Sequence, residues 1–93
     1  MCIRDRLIFD EIQSGLGRTG SMWAADHWKT VPDIMCVAKG IAGGVPMGVT
    51  LVRPDILSVM KKGEHSSTFG GNPLSCASAV SYTHLTLPTI LLV

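Results

Sequence analysis

The stretch that decides the fold is Pro32-Asp-Ile-Met-Cys-Val-Ala-Lys-Gly40. Its apolar run, Ile34 to Ala38, has the length and composition of a buried strand, and it ends on one cation, Lys39. A matching pattern stands upstream, where Leu7-Ile8-Phe9 closes on the acidic pair Asp10-Glu11. Two apolar runs, each ending in an ionisable side chain, put an acid and an amine at comparable strand ends. Ligands of open α/β sheets lie off the carboxyl ends of strands.

Working outward, Leu7 to Ile12 reads as the first strand and Ser14-Gly-Leu-Gly-Arg-Thr-Gly20 as a glycine-rich loop. Met22 to Trp28 is predicted as a short helix with Ser21 as its N-cap, broken by Val31-Pro-Asp33. Ile34 to Ala38 is the second strand. Gly40 to Gly44 is too rich in glycine to hold a regular element well. Gly48 to Val52 is the third strand. A helix is predicted to open at Pro54, with Asp55 near its positive end, and to run to Lys61-Lys62, where Gly63 stops it. Gly63 to Asn72 is a polar loop, and Asn72-Pro73 reads as the N-cap and first residue of an alanine-rich helix. Strands alternating with helices predict an α/β fold with parallel-type pairing.

Composition narrows the function. The 93 residues carry a formal net charge of +1 and only 16% charged side chains. That is no electrostatic footprint for nucleic acid or for an anionic membrane surface. No apolar run approaches the roughly 20 residues that span a bilayer. The start, Met-Cys-Ile-Arg-Asp-Arg, does not resemble a secretory signal, so a cytoplasmic location is expected. Hydrophobic residues make up 46% with ten glycines, as in a globular α/β chain. Cys2, Cys36 and Cys76 lack Cys-x-x-Cys spacing and leave one unpaired, which reads as free thiols in a reducing compartment.

Each candidate motif has a plain alternative. Most strand-end acids simply meet solvent, and most lysines are solvated surface charges. Asp10 and Glu11 gain meaning if one carboxylate lies against a heterocyclic nitrogen, because an opposite charge raises a pyridine's pKa and keeps the ring an electron acceptor. Lys39 gains meaning if partial burial lowers its ammonium pKa and frees the amine for Schiff-base formation. Together they point to an imine-forming cofactor of the pyridoxal phosphate type. Gly15-Leu-Gly-Arg-Thr-Gly20 also matches the dinucleotide pattern G-x-G-x-x-G, but no acid for a ribose hydroxyl follows at about 20 residues. Structural turn glycines account for it better. His65-Ser-Ser-Thr-Phe-Gly-Gly-Asn-Pro73 reads either as a helix entry or as an anion site built from Ser67, Thr68 and backbone amides. His27, His65 and His84 lack metal-ligand spacing, and hydrolase motifs are absent.

Five motifs occur in order: Phe9-Asp-Glu-Ile-Gln13, Gly15-Leu-Gly-Arg-Thr-Gly20, Pro32-Asp-Ile-Met-Cys-Val-Ala-Lys-Gly40, Gly43-Gly-Val-Pro-Met-Gly48 and Gly63-Glu-His-Ser-Ser-Thr-Phe-Gly-Gly-Asn-Pro-Leu74. Over residues 7–79 they resemble the class III pyridoxal-phosphate aminotransferases, near the acetylornithine, ornithine and lysine-biosynthesis branch. The resemblance implies a fragment of the fold-type-I large domain and a homodimer. It also implies pyridoxal 5'-phosphate as cofactor, with Asp10 on its pyridine nitrogen and Gln13 on its ring hydroxyl. Lys39 would hold the cofactor as a Schiff base and, once released by the incoming amine, carry the proton between substrate Cα and cofactor C4′. Thr68, with Ser67 beside it, would bind the phosphate, usually that of the partner subunit. The implied reaction passes the terminal amine of an ornithine- or lysine-like amino-acid donor to 2-oxoglutarate. A decarboxylase or racemase of the same class would share Asp10 and Lys39.

The ends depart from this pattern. Residues 1–6 and 80–93 resemble translated sequencing-adapter read-through and are expected to be non-native, although Thr-Leu alternation near the end also fits a terminal strand. The family's upstream phosphate-binding segment, its stacking aromatic and its carboxylate-binding arginine have no counterpart in the match. The chain alone is therefore expected not to bind cofactor usefully. Two other classes remain open at this point: an NAD-binding oxidoreductase built on Gly15 to Gly20, and an α/β interaction module with no ligand.

Overall fold

The computed structural model describes residues 6–92, with side chains described through His84. Three short strands form one sheet in the order β1 (Ile8–Asp10), β2 (Ile34–Ala38), β3 (Gly48–Val52). β2 and β3 match the sequence-predicted strands, because β-branched and apolar residues run unbroken there between turn residues. β1 is shorter than its apolar pattern: Glu11 donates its backbone N–H to the Cys36 carbonyl at 2.8 Å, and the chain then turns.

β1 runs parallel to β2, pairing Ile8 with Ile34 and Asp10 with Cys36. β3 runs antiparallel to β2, pairing Ala38 with Gly48 and Ile34 with Val52. Parallel pairing therefore holds for only one of the two ladders. The Lys39–Gly48 connection is too short for a crossover of a dozen or more residues, so β3 has to return beside β2.

The helical predictions need more correction. Ala24–Trp28 is a 3-10 helix, shorter than the predicted helix, and Trp23 rather than Ser21 stands at its N-cap. The Asp26 carboxylate accepts the Trp23 N–H at 3.0 Å, so the first turn is closed from inside the helix. Lys39–Ala42, read as irregular, is also a 3-10 turn. Helix α1 spans only Pro54–Leu57. Beyond it Val59 and Met60 donate to carbonyls three residues back, and Lys61 turns away, its N–H going to the Glu64 carboxylate at 2.7 Å. Lys61 and Lys62 thus belong to a separate turn around Gly63, whose φ is +89°. Glycine adopts that left-handed region without steric cost.

Asn72 caps helix α2 (Pro73–Leu92) as predicted, its Oδ1 accepting the Ser75 N–H at 3.0 Å. The helix continues through the Thr-Leu stretch, so the terminal-strand reading is corrected. Four buried apolar side chains, Ala25, Met35, Val37 and Ala42, lie between the sheet, the 3-10 segments and α2. Ser75 Oγ–H donates to the Pro46 carbonyl and ties the start of α2 to the loop before β3. Cys36 and Cys76 are half-buried free thiols, and Cys2 lies outside the described residues. Among the described residues no helix is long and apolar enough to cross a membrane.

At the far end of the sheet from Lys39, Asp33 joins all three strands. Its carboxylate accepts the Leu7 N–H at 2.7 Å and the Arg53 Nη1–H at 2.8 Å, with Arg6 at 3.8 Å. The Leu7 amide holds the Asp33 carboxyl below the usual carboxylate range; desolvation, the next largest effect, opposes it, and the Arg53 hydrogen bond with the Arg53 and Arg6 charges adds to the lowering. A folded-state pKa below the unfolded value adds stability above the unfolded pKa and loses it as pH falls through the folded one. Asp33→Asn is therefore expected to flatten the acid limb of the stability profile. Denaturant midpoints measured across the acid range would read this, with the difference between the two proteins developing as pH falls below the ordinary carboxylate pKa of about 4.

Candidate active site

The carboxyl ends of β1 and β2 lie side by side. Their register sets Asp10 opposite Cys36, three residues before Lys39. Asp10 thus ends one strand, and Lys39 lies just past the end of its neighbour, where the chain bends off β2. A cleft of about 420 Å³ opens here, with Ile12, Gln13 and the turn Gly15–Arg18 on one wall, Ala38–Gly40 on the other, and Tyr82 across. That volume falls within the roughly 300–1,000 Å³ of small-molecule sites.

Asp10 is exposed, and its Oδ1 accepts the Ile12 N–H at 3.1 Å, which holds the carboxylate over the start of the turn. Gln13 is exposed and lines the cleft. Lys39 is exposed too, where the sequence reading expected partial burial. The backbone at Lys39 has φ +56°, immediately after Ala38 at φ −157° and ψ −157°. A non-glycine residue in that left-handed region carries a penalty of roughly 1–2 kcal/mol. The bend swings the chain off the end of β2 into the 3-10 turn, leaving the lysine at the cleft wall. Strained conformations of this kind cluster at functional sites.

Ser67 and Thr68 are not brought to this cleft. Both are exposed on the loop between Gly63 and Asn72. Ser67 faces a separate, larger hollow of about 740 Å³ with Gly48, Thr50 and Met60. The helix-entry part of this motif is satisfied internally. Asn72 Nδ2–H donates to the Phe69 carbonyl at 2.9 Å, and Asn72 Oδ1 takes the Ser75 amide.

Glu11 has a role that the sequence reading left undefined. It is 3% exposed. Its Oε1 accepts the Ser14 hydroxyl and its Oε2 the Ala25 N–H at 3.4 Å, while its carbonyl accepts the Gly15 N–H at 3.0 Å. One residue thus fastens the glycine loop and the first 3-10 helix to the end of β1. Successive strand residues face opposite sides, so of two adjacent acids at a strand end one must turn inward. That alternation is the signal that identifies Glu11. Gly15 completes the fastening: a Cβ there would stand 2.8 Å from the Glu11 carbonyl oxygen and 3.1 Å from the Trp23 ring. Glu11→Ala leaves the Ser14 hydroxyl and Ala25 amide without their acceptor. A stability loss of about 1–3 kcal/mol is expected, measured by denaturant unfolding against Glu11→Gln, which retains an acceptor oxygen.

The glycine loop does not build a dinucleotide site. It leads through turns into a five-residue 3-10 helix instead of opening the long helix whose N-terminus would hold a pyrophosphate. The candidate ligands instead fit pyridoxal 5'-phosphate, which needs an amine, a carboxylate and a hydrogen-bonding side chain around one ring-sized cleft. Lys39 and Gln13 line the cleft, and Asp10 stands at the end of the neighbouring strand outside that lining.

The sequence profile of the family described as Aminotransferase class-III matches residues 5–88. The chain is 54% identical over 72 residues to the acetylornithine aminotransferase of Methanopyrus kandleri, which covers 77% of this chain and 18% of that protein. The crystal structure of ornithine aminotransferase from Toxoplasma gondii superposes with a TM-score of 0.86 at 47% identity, covering 92% of this chain and 21% of that one. A second structure of the Toxoplasma gondii ornithine aminotransferase, with a TM-score of 0.80 at 48% identity over 92% of this chain and 19% of that one, reports partial occupancy of pyridoxal phosphate at its active site. The chain therefore spans about a fifth of the length of the relatives it matches. Its fold is that of the matching part of the pyridoxal-phosphate-dependent aminotransferases. On the profile match and these identities, the chain belongs to the class III aminotransferases, a pyridoxal-phosphate-dependent family.

Proposed function

We propose that this chain carries the lysine-bearing part of an aminotransferase site, and that the complete protein moves a terminal amino group from an ornithine- or lysine-like donor to 2-oxoglutarate. The observation that carries this reading is that Gln13 and Lys39 line one cleft at the carboxyl edge of the β1–β2 pair, with Asp10 at the end of β1 beside it. The names of the acetylornithine and ornithine aminotransferase relatives support the donor class, and they favour transamination over decarboxylation or racemisation.

Pyridoxal phosphate, when bound, supplies an electron sink for the charge left at the substrate Cα. Every other task falls to side chains. Lys39 Nζ would hold the cofactor covalently and, once displaced by the incoming amine, would serve as the base that moves the substrate Cα proton to C4′. Asp10 would pair with the pyridine nitrogen and keep it protonated through opposite charge. Gln13 hydrogen-bonds the ring hydroxyl. Ser67 and Thr68, remote from the Lys39 cleft on their own loop, donate hydroxyls to the phosphate bound in the partner subunit of a homodimer. The site so assigned lies within residues 7–79, and Tyr82 is given no task in it. The protein acts in the cytoplasm. This chain by itself is inactive, because its cleft is open and its amine stays exposed.

The test is an assay of the complete reading frame supplied with pyridoxal phosphate, 2-oxoglutarate and, in turn, N-acetylornithine, ornithine and lysine. Glutamate formed mole for mole with donor consumed is the expected result. Release of carbon dioxide without glutamate overturns the transaminase assignment.

A further inference from the structure

Arg18 sits at the tip of the glycine turn and lines the same cleft as Lys39. The turn is held in place independently of any ligand. Gly17 N–H donates to the Met22 carbonyl at 3.2 Å, Gly20 N–H to the Gly17 carbonyl at 3.1 Å, and Glu11 fastens the base of the loop. Leu16 and Gly17 both take left-handed backbone conformations, at φ 59° and 88°, which turn the chain so that Arg18 follows directly. Among the described residues Arg18 makes no ion pair and no side-chain hydrogen bond. The nearby acids are already engaged: Glu11 with Ser14 and Ala25, Asp10 with the Ile12 amide. Two cations, Arg18 and Lys39, thus share one cleft whose described lining holds no carboxylate.

We infer that Arg18 is a specificity-determining residue that receives a carboxylate of the substrate beside Lys39. Guanidinium presents a rigid fork of donors that matches a carboxylate in two parallel hydrogen bonds, which an ammonium cannot do. Lys39 would be committed to the reacting carbon once cofactor is attached, which leaves Arg18 as the other cation of the described lining. The dicarboxylic 2-oxo acid is the substrate class that needs it most, since it brings two negative charges. This inference rests on the reading of Lys39 as the cofactor lysine. The cofactor's phosphate is the other anion that could take the same fork.

The experiment uses the complete protein with Arg18→Gln and Arg18→Lys, and glutarate as an unreactive five-carbon dicarboxylate probe. Glutarate and pyridoxal phosphate dissociation constants are measured separately for each form. Circular dichroism melting checks that the variants fold. Arg18→Gln is expected to weaken glutarate tenfold or more and to raise KM for 2-oxoglutarate in parallel, with cofactor affinity unchanged. Arg18→Lys recovers only part of the loss. An unchanged glutarate constant in Arg18→Gln overturns the inference. So does weaker cofactor binding with glutarate unaffected, which assigns the arginine to the phosphate. If borohydride fails to fix cofactor at Lys39 in the unmodified protein, the functional reading falls, while the glutarate comparison still decides Arg18.

Discussion

Lys39→Ala in the complete protein abolishes covalent capture of pyridoxal phosphate and lowers the transamination rate by about 10³-fold or more. The size follows from two losses at one position. General acid–base help from a positioned side chain is worth roughly 10²–10⁴-fold, and the covalent anchor disappears with the same amine. The backbone gives this prediction a second readout. Lys39 sits at φ +56°, where any residue with a Cβ is strained. Lys39→Gly should therefore be as inactive as Lys39→Ala yet more stable, by roughly 1 kcal/mol in denaturant unfolding. A Lys39→Gly protein less stable than Lys39→Ala would show that the left-handed bend is not a property of the folded site.

Asp10→Asn has the next largest effect. The carboxylate stands at the end of β1, held by the Ile12 N–H at 3.1 Å, on the strand beside the lysine. An acid there raises the pKa of a ring nitrogen by about one to three units. Each unit corresponds to about 1.4 kcal/mol, so removing the charge slows proton abstraction at the substrate Cα by roughly 10- to 10³-fold. The isosteric amide keeps its contact with the turn, so stability should change little. The substrate Cα–deuterium isotope effect on kcat should grow in Asp10→Asn, because proton abstraction becomes slower relative to every other step. A rate within twofold of the unmodified protein removes Asp10 from the site.

How much of this was legible depended on whether the cause was local. Ile34–Ala38 and Gly48–Val52 are continuous apolar or β-branched runs bounded by turn residues, and both strands formed where their patterns stand. Asn72-Pro73 carried its capping signal in two residues, and the cap formed. The relation of Asp10 to Lys39 was readable because Asp10 ends one strand and Lys39 directly follows the next, and parallel register sets Asp10 opposite Cys36, three residues before the lysine. The antiparallel return of β3 was not readable, because it follows from the shortness of the Lys39–Gly48 connection and not from any strand pattern. Helix α1 was overextended because the Lys61-Lys62 pair resembles a dipole-compensating end. Glu64 instead captures the Lys61 amide, a contact fixed by loop closure. Glu11 and Asp10 are neighbours of identical charge, and only the sheet decides which is buried and fastens the loop and which stays exposed. Arg18 escaped notice for a related reason: its value depends on a turn, held by Glu11 and Gly15, that brings it to a lysine 21 positions further along the chain.

One measurement bears most directly on the central claim that Lys39 is the cofactor lysine. The complete protein is loaded with pyridoxal phosphate, reduced with borohydride, digested, and its peptides are weighed. The pyridoxyl mass is expected on the peptide containing Val37-Ala-Lys-Gly40 and nowhere else, and it should be absent from Lys39→Ala. The same label on Lys29, Lys61 or Lys62, or its persistence in the Lys39→Ala protein, contradicts the account.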